Sequence, residues 1–240
     1  MKKHIFIATV ALTGLVSLTS RAQVKLNTIG VGVSYWERSY DGVDERSFLG
    51  NYDANKGFDQ GGFMPHLSAE LGIFGGLGID GRVGVWTGKF ESETRFTGGR
   101  VIAEEIKQTI IPVSLGLVYR FDNLFEESWN IFAGAGLNRY FIQNKVSRTV
   151  TGGEVANTSD SFSGNDYGAN IKAGVEYMFS ETLGLALEGR YNTGSYEQTF
   201  QAAGDGPVQN YEVALKGIEA SFSLRYRFKN ETNTPDTNPE

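Results

Sequence analysis

Apolar side chains recur at every second position through most of this chain, and this period constrains the fold more than any other feature. Ile29, Val31, Val33 and Tyr35 alternate with small or polar residues, and seven later segments repeat the pattern. Such alternation predicts β-strands with one apolar and one polar face. The eight segments are residues 29–36, 66–73, 77–86, 111–121, 131–138, 169–179, 183–191 and 218–228. Their lengths are near the roughly 9–11 residues with which a tilted strand crosses a bilayer.

The connections between these segments alternate in length. Three connections are short, namely residues 74–76, 122–128 and 180–182. The other four are long and polar, namely residues 41–61, 88–105, 143–166 and 194–210. Short turns at one end and long loops at the other are typical of a meander that crosses a membrane. We therefore predict an all-β fold, namely an eight-stranded antiparallel up-and-down transmembrane β-barrel. An even strand number returns both termini to the same side.

The ends of the chain have compositions of their own. A short basic start precedes an apolar run over residues 5–18, and Ser20 and Ala22 stand where signal peptidase recognises small residues. Removing this basic segment makes the formal charge more negative than −6, which argues against nucleic-acid binding. We expect a signal peptide, a barrel and a disordered polar tail at residues 1–22, 23–228 and 229–240.

Composition also limits the chemistry that the chain can perform. It contains no Cys and two His, which excludes disulfides, thiol catalysis and a multi-His metal site. We expect no cofactor and no metal.

Alternation leaves open which face is inside, because a soluble lipocalin-like barrel has the same period with its apolar face inward. Two features favour an apolar face toward lipid. The polar face is rich in Gly, Ala and Ser, which suits a narrow lumen, and its six positive and five negative charges nearly cancel. Buried charges persist when they are paired. The predicted lumen network consists of Glu70, Asp80, Arg82, Arg120, Lys172, Glu176, Glu188, Arg190, Glu219, Arg225 and Arg227.

A Tyr-x-Phe motif recurs where three of the strands end. Its aromatic residues lie on the apolar face, where a girdle at the level of the lipid headgroups is expected. This predicted girdle contains Tyr119, Phe121, Tyr177, Phe179, Tyr226 and Phe228. The candidates for the opposite girdle are Tyr35, Phe141 and Tyr191.

The signal segment, the eight alternating strands and the repeated Tyr-x-Phe ends resemble the small outer-membrane β-barrel proteins of Gram-negative bacteria, the group of OmpX and the OmpA barrel. The final strand resembles the C-terminal signal that the barrel-assembly machinery reads, with Tyr226 and Phe228 as its aromatic pair. Ser223 departs from that signal, which often has Gly there. The resemblance implies a location in the cell outer membrane with both termini periplasmic. It also implies contacts with outer-membrane lipid and lipopolysaccharide, and no nucleic-acid partner.

An eight-stranded barrel has an interior just wide enough for side chains, so the sequence predicts a filled lumen. The leading hypothesis is a non-enzymatic outer-membrane protein whose long extracellular loops have structural or surface-interaction roles. The aromatic residues expected at or beyond the rim are Trp36, Phe48, Tyr52, Phe58, Phe90, Phe96, Phe162, Tyr196 and Phe200. A narrow, gated, porin-like solute channel is an alternative hypothesis. A third is a lipid-A-type ester hydrolase that uses His66 and Ser68, with Glu70 orienting the His.

The alternation changes phase near Gly217. Val213 and Leu215 are apolar but stand at positions that the final strand assigns to the lumen. We predict a β-bulge above the bilayer at this point.

Overall fold

Antiparallel β-strands make up the regular structure of the described residues. The computed structural model describes residues 24–39, 61–122, 128–152, 158–201 and 208–228. The strands are β1 (Lys25–Arg38), β2 (Gly61–Phe74), β3 (Leu77–Gly84), β4 (Trp86–Arg95), β5 (Val101–Asp122), β6 (Trp129–Thr151), β7 (Thr158–Met178), β8 (Leu183–Asn192), β9 (Ser195–Gln201), β10 (Val208–Ala214) and β11 (Gly217–Arg227). Within these ranges no helix is long and apolar enough to cross a membrane. The predicted signal peptide and tail lie outside them.

The main sheet closes into a ring of eight strands. β3 and β4 both pair with β5 and are separated at Val85, so together they form one barrel strand. The order around the sheet is β3-β2-β1-β11-β8-β7-β6-β5, and the pairing of β3 with β5 completes the circle. Closure satisfies the backbone N–H and C=O groups within the chain, as a lipid environment requires. The predicted fold class is confirmed.

A separate two-stranded sheet, which we call the outer hairpin, consists of β9 and β10. β9 follows β8 after a break at Thr193 and Gly194, and β10 is separated from β11 by residues 215–216. The N–H of Leu215 donates to the carbonyl of Gly194 over 3.1 Å and joins the two breaks. The outer hairpin therefore stands on the barrel at the end opposite the short turns.

Several strands are much longer than the sequence predicts. β5, β6 and β7 contain 22, 23 and 21 residues. At about 3.3 Å per residue and a tilt of about 40°, 22 residues rise about 55 Å, roughly twice an apolar band of about 25 Å. The expectation of long loops at residues 88–105, 143–166 and 194–210 is therefore wrong where these residues are described, because most of them are paired in strands. Water solvates the outer face there, so the outward apolar alternation ends while the backbone ladder continues.

Tight turns join the strands at the opposite end. Gly75 and Gly76 adopt φ angles of 53° and 85°, a region that favours glycine. Between β7 and β8, the hydroxyl of Ser180 accepts hydrogen bonds from the N–H groups of Leu183 (2.9 Å) and Thr182 (3.3 Å). The predicted short connections at residues 74–76 and 180–182 are confirmed, whereas residues 123–127 lie outside the described part.

The apolar face of the barrel points outward. Leu115 and Ile171, in the middle of β5 and β7, are 63% and 62% exposed. Arg82, Glu188 and Arg225, on the opposite face, are buried. A soluble barrel has the reverse arrangement, so the lipocalin-like alternative is wrong.

Candidate functional site

The barrel interior brings together the residues that the sequence assigns to the lumen. Ten of the eleven are buried, and Arg227 is half-buried at the turn end. They project from alternate positions of β2, β3, β5, β7, β8 and β11. Their contacts divide them into two clusters along the barrel axis.

The turn-end cluster consists of Glu70, Arg120, Glu176 and Arg227. Arg120 donates from Nε and Nη2 to the two carboxylate oxygens of Glu70, over 2.6 and 2.7 Å. Its Nη1 lies 2.5 Å from Oε2 of Glu176, which also accepts from Nη2 of Arg227 over 2.8 Å. Two guanidinium groups and two carboxylates neutralise each other, and the bidentate geometry is the strong form of this pair.

The central cluster has four cations and three carboxylates: Arg82, Lys172, Arg190, Arg225, Asp80, Glu188 and Glu219. Glu188 lies within ion-pair distance of all four cations, namely Arg190 (3.0 Å), Arg82 (3.4 Å), Arg225 (3.5 Å) and Lys172 (3.8 Å). Asp80 accepts from Lys172 over 2.5 Å, and Arg82 also pairs with Glu219. Glu188 is therefore the carboxylate on which the cluster depends most.

Phe132 lies between the two clusters and is fully buried. The guanidinium carbon of Arg225 is 4.5 Å from its ring centroid and that of Arg120 is 5.6 Å away. Gly174 leaves room for the ring, since a Cβ there would lie 2.5 Å from Cζ of Phe132. The ring of Phe132 thus adds a cation–π contact to both guanidinium groups.

An amide network that the sequence analysis did not identify lies beside the central cluster. Asn138 accepts from the hydroxyl of Ser114 (2.7 Å) and from Nδ2 of Asn170 (2.6 Å), and it donates to Oδ1 of Asn192 (3.0 Å). Nδ2 of Asn192 in turn donates to Glu219 over 3.1 Å. These residues stand at lumen positions in the alternation, and that parity was the available signal. Because they carry no charge, the predicted ionic network did not include them.

The interior beyond this network, toward the outer hairpin, is apolar. We call this group the outer apolar cluster, and its buried members are Trp36, Met64, Trp86, Phe90, Ile106, Ile110, Tyr140, Ile142, Val213 and Leu215. The ring of Trp36 stacks on that of Tyr140 at 6.1 Å and meets Trp86 edge-on at 6.4 Å. The guanidinium of buried Arg38 lies over Trp86 at 4.4 Å. A narrow interior therefore contains a small hydrophobic core above an ionic one.

This cluster corrects the prediction for the aromatic residues at the rim. Trp36 and Phe90 were expected to be available to a partner, but they are 1% and 3% exposed inside the barrel. Phe96 is exposed, whereas Phe162 and Tyr196 are half-buried. Phe200 lies in a described strand, but its side chain is not described. The remaining candidates lie outside the described residues: Phe48, Tyr52 and Phe58. Trp36 and Phe90 stand at lumen positions of the alternation, on the same inward parity as Arg82, and this parity was the available signal.

Val213 and Leu215 belong to the same cluster. Both are buried at 4% and 0% exposure, and with Gly217 and Glu219 they keep the inward parity of β11. The strand breaks at residues 215–216, and no phase change is needed. The predicted β-bulge is therefore wrong, because the interior at this height accepts apolar side chains.

The interior clusters leave little space for solute in the described part of the barrel. A cavity of about 10 Å³, lined by Trp36, Arg82, Tyr140 and Glu219 among others, has room for about one water molecule. At the turn end a mouth of about 270 Å³ stops at Glu70 and Arg120. The filled lumen thus has ion pairs and rings where a pore would have water.

His66 and Ser68 lie on the inner face of β2, away from lipid. His66 is buried, and its Nδ1 has no hydrogen-bond partner in the part of the chain that is described. Both oxygens of Glu70 are taken by Arg120, and Oε1 accepts from Asn27 as well, over 3.0 Å. The acid that an ester hydrolase needs to orient its His is thus engaged elsewhere.

Aromatic side chains ring the outside of the barrel near both limits of the apolar band. At the turn end Tyr119, Phe121, Tyr177, Phe179 and Tyr226 are exposed, and Phe228 is half-buried. Tyr119 and Phe121 meet edge-on at 4.8 Å, as Tyr226 and Phe228 do at 4.9 Å. At the other limit Tyr35, Phe141 and Tyr191 are exposed. The structure adds exposed aromatic residues that the sequence analysis did not identify: Trp129 at the turn end and Phe63 and Tyr167 opposite.

The sequence model of the family described as the outer membrane protein beta-barrel domain matches residues 8–228. The chain belongs to this family. The members of this family are barrels of the outer membrane. The protein is therefore located in the outer membrane. No curated protein matches the chain by sequence.

Solved structures of outer-membrane proteins resemble this member of the family in fold. The outer membrane protein OprG from Pseudomonas aeruginosa is 11% identical over 86% of this chain and 98% of its own, with a TM-score of 0.52. The attachment invasion locus protein Ail of Yersinia pestis is 15% identical over 85% of this chain and 98% of its own, with a TM-score of 0.45. At these identities the resemblance shows the fold alone.

Proposed function

We propose that this protein is a non-enzymatic outer-membrane β-barrel whose filled lumen is structural and whose long strands project from the cell for surface interactions. The observation that supports this most is the interior itself. Two ionic clusters, an amide network and the outer apolar cluster follow one another along the axis, with a cavity of about 10 Å³ between them. Such a lumen stabilises a rigid barrel wall. The parts of the strands that extend beyond the membrane provide the surface for interactions.

Conductance measurements test this proposal against a narrow channel. We expect flat current traces when the refolded protein is inserted into planar bilayers. The insertion itself is checked by a gel shift between unboiled and boiled samples, which a closed barrel gives. Steady unit conductance from protein that shows the gel shift of a folded barrel would establish the channel alternative instead.

The proposed orientation places both termini in the periplasm and the β4–β5 hairpin outside the cell. Because the chain has no Cys, single cysteines report position cleanly. We expect Thr97→Cys, at the hairpin tip, to react with a membrane-impermeant maleimide on intact cells. Glu181→Cys, in the turn between β7 and β8, is the matched control and should react after the outer membrane is opened. The reverse result would mean that the long end is periplasmic.

Analysis of lipid A tests the hypothesis that the protein is an ester hydrolase. The inward position of His66 and Ser68 and the engagement of Glu70 by Arg120 favour a structural role for all three. We expect cells that express the wild type or Ser68→Ala to contain identical lipid A. Loss of an acyl chain that depends on Ser68 would show an enzyme.

A further inference from the structure

The outer surface of the barrel is layered on one side, just beyond the apolar band. Ile111 and Phe141 pair across β5 and β6 at the upper limit of this band. The next outward residues are Thr109 and Gln143, which also pair. The sequence thus changes from apolar to hydrogen-bonding side chains at one height.

Three lysines follow at the next outward position of three adjacent strands. Lys89 of β4 is directly opposite Lys107 of β5, which is directly opposite Lys145 of β6. We call these residues the lysine row. They lie four residues beyond the band, or about 10 Å higher for a tilted strand. Like charges opposite each other destabilise a sheet, so an anion at this height would be favourable.

Carboxylates occupy the next row, farther from the membrane. Glu91 follows Lys89 on β4, and Glu105 precedes Lys107 on β5, so the lysine is the membrane-proximal residue on both strands. Glu105 accepts from Lys89 over 2.8 Å and from Lys107 over 3.1 Å. The pairing orders the row without neutralising it, because three cations face two carboxylates.

Lys145 carries the remaining positive charge. Ser147 pairs with Glu105 and stands where the other two strands have an acid. Lys145 is exposed, and no carboxylate lies within ion-pair distance of it among the described residues. Arg139, one outward position below Phe141 on the same strand, adds a half-buried cation just inside the band, where its guanidinium carbon lies 4.0 Å from the ring centroid of Tyr167.

We propose that the lysine row binds phosphate groups of lipopolysaccharide in the surrounding leaflet. The headgroup region extends about 5–8 Å beyond the hydrocarbon, and long lysine side chains reach toward the membrane from about 10 Å above it. Cations near the membrane and acids farther out match a surface whose phosphates lie below. This inference rests on the proposed orientation, with the long end outside.

Binding to the refolded full chain in zwitterionic nanodiscs tests the proposal. The probe is fluorescently labelled rough lipopolysaccharide, compared with the same material after chemical dephosphorylation. We expect Lys145→Gln to weaken binding about fivefold and the variant K89Q/K107Q/K145Q to weaken it more than twentyfold. Lys216→Gln, with the same change of charge at the same end of the barrel, should stay within twofold.

Three results would overturn the proposal. One is unchanged binding by K89Q/K107Q/K145Q that still shows the gel shift of a folded barrel. The second is equal affinity for dephosphorylated lipopolysaccharide. The third is tighter binding of a sulfated polysaccharide, which would make the row a surface for soluble glycans. Because nanodisc binding does not depend on the direction of insertion in cells, the maleimide experiment tests the orientation separately.

Discussion

At the scale of single residues, Glu188 has the least replaceable role in the interior. Four cations lie within 3.8 Å of its carboxylate, and it is buried with them. Charges taken out of water are tolerated when their partners remain, and removal of one partner leaves the others uncompensated. The ion pairs of the lumen therefore stabilise the barrel, and the loss of one carboxylate is expected to destabilise it.

We expect Glu188→Gln to lower the free energy of unfolding by about 3–5 kcal/mol. The measurement is urea unfolding of the refolded protein, followed by tryptophan fluorescence. Glu93→Gln is the control, because Glu93 pairs with Arg95 on the surface and its loss should cost at most about 1 kcal/mol. Equal effects of the two variants would mean that the cluster is solvated.

Gly62 allows the buried ring of Trp86 to approach the backbone of β2. A Cβ at Gly62 would lie 2.5 Å from Nε1 of Trp86. We expect Gly62→Ala to destabilise the barrel by about 1–3 kcal/mol. In a Trp86→Phe background the same change should cost less, and a double-mutant cycle measures the difference. An additive cycle would show that the ring does not restrict this position.

At the scale of elements, surface ion pairs join β4 and β5 beyond the apolar band. The hydrogen bond from Lys89 holds the pKa of Glu105 below its usual range, and Glu105 raises the pKa of Lys89. The contribution of Glu105 is present above the carboxyl pKa of the unfolded chain, about 4.3, and is lost as the pH falls. That of Lys89 is present below about 10.4 and is lost at higher pH.

We therefore expect the stability difference between the wild type and Glu105→Gln to be largest between about pH 5 and pH 10. It should shrink toward zero in acid, where the wild-type carboxyl is protonated. Urea unfolding across this range is the measurement, with Glu93→Gln as a surface control. A difference that grows in acid would contradict the assigned direction of the pKa shift.

At the scale of the whole molecule, closure depends on β11, which pairs with both β1 and β8. Its end carries Tyr226, followed by Phe228 just beyond the strand, and the resemblance of this end to an assembly signal makes the barrel-assembly machinery a proposed partner. We expect Phe228→Ala to reduce the amount of protein in the outer membrane severalfold while refolding in detergent is unchanged. Phe121→Ala, an exposed ring at the same end, is the matched control. Equal losses in both variants would point to the girdle and not to the assembly signal.

The sequence by itself determined the closed antiparallel barrel, the outward apolar face and the inward parity of the charged residues. These follow from a period of two and from the cost of exposing charge to lipid, both of which are readable along one strand. The tertiary structure decided how far the strands continue, because polar residues above the membrane keep their ladder without any apolar pattern. It also decided that Trp36, Phe90 and Leu215 form a core inside the barrel, and that Glu70 binds Arg120, 50 residues away. Side chains meet across the lumen according to register and closure, and these depend on all eight strands at once.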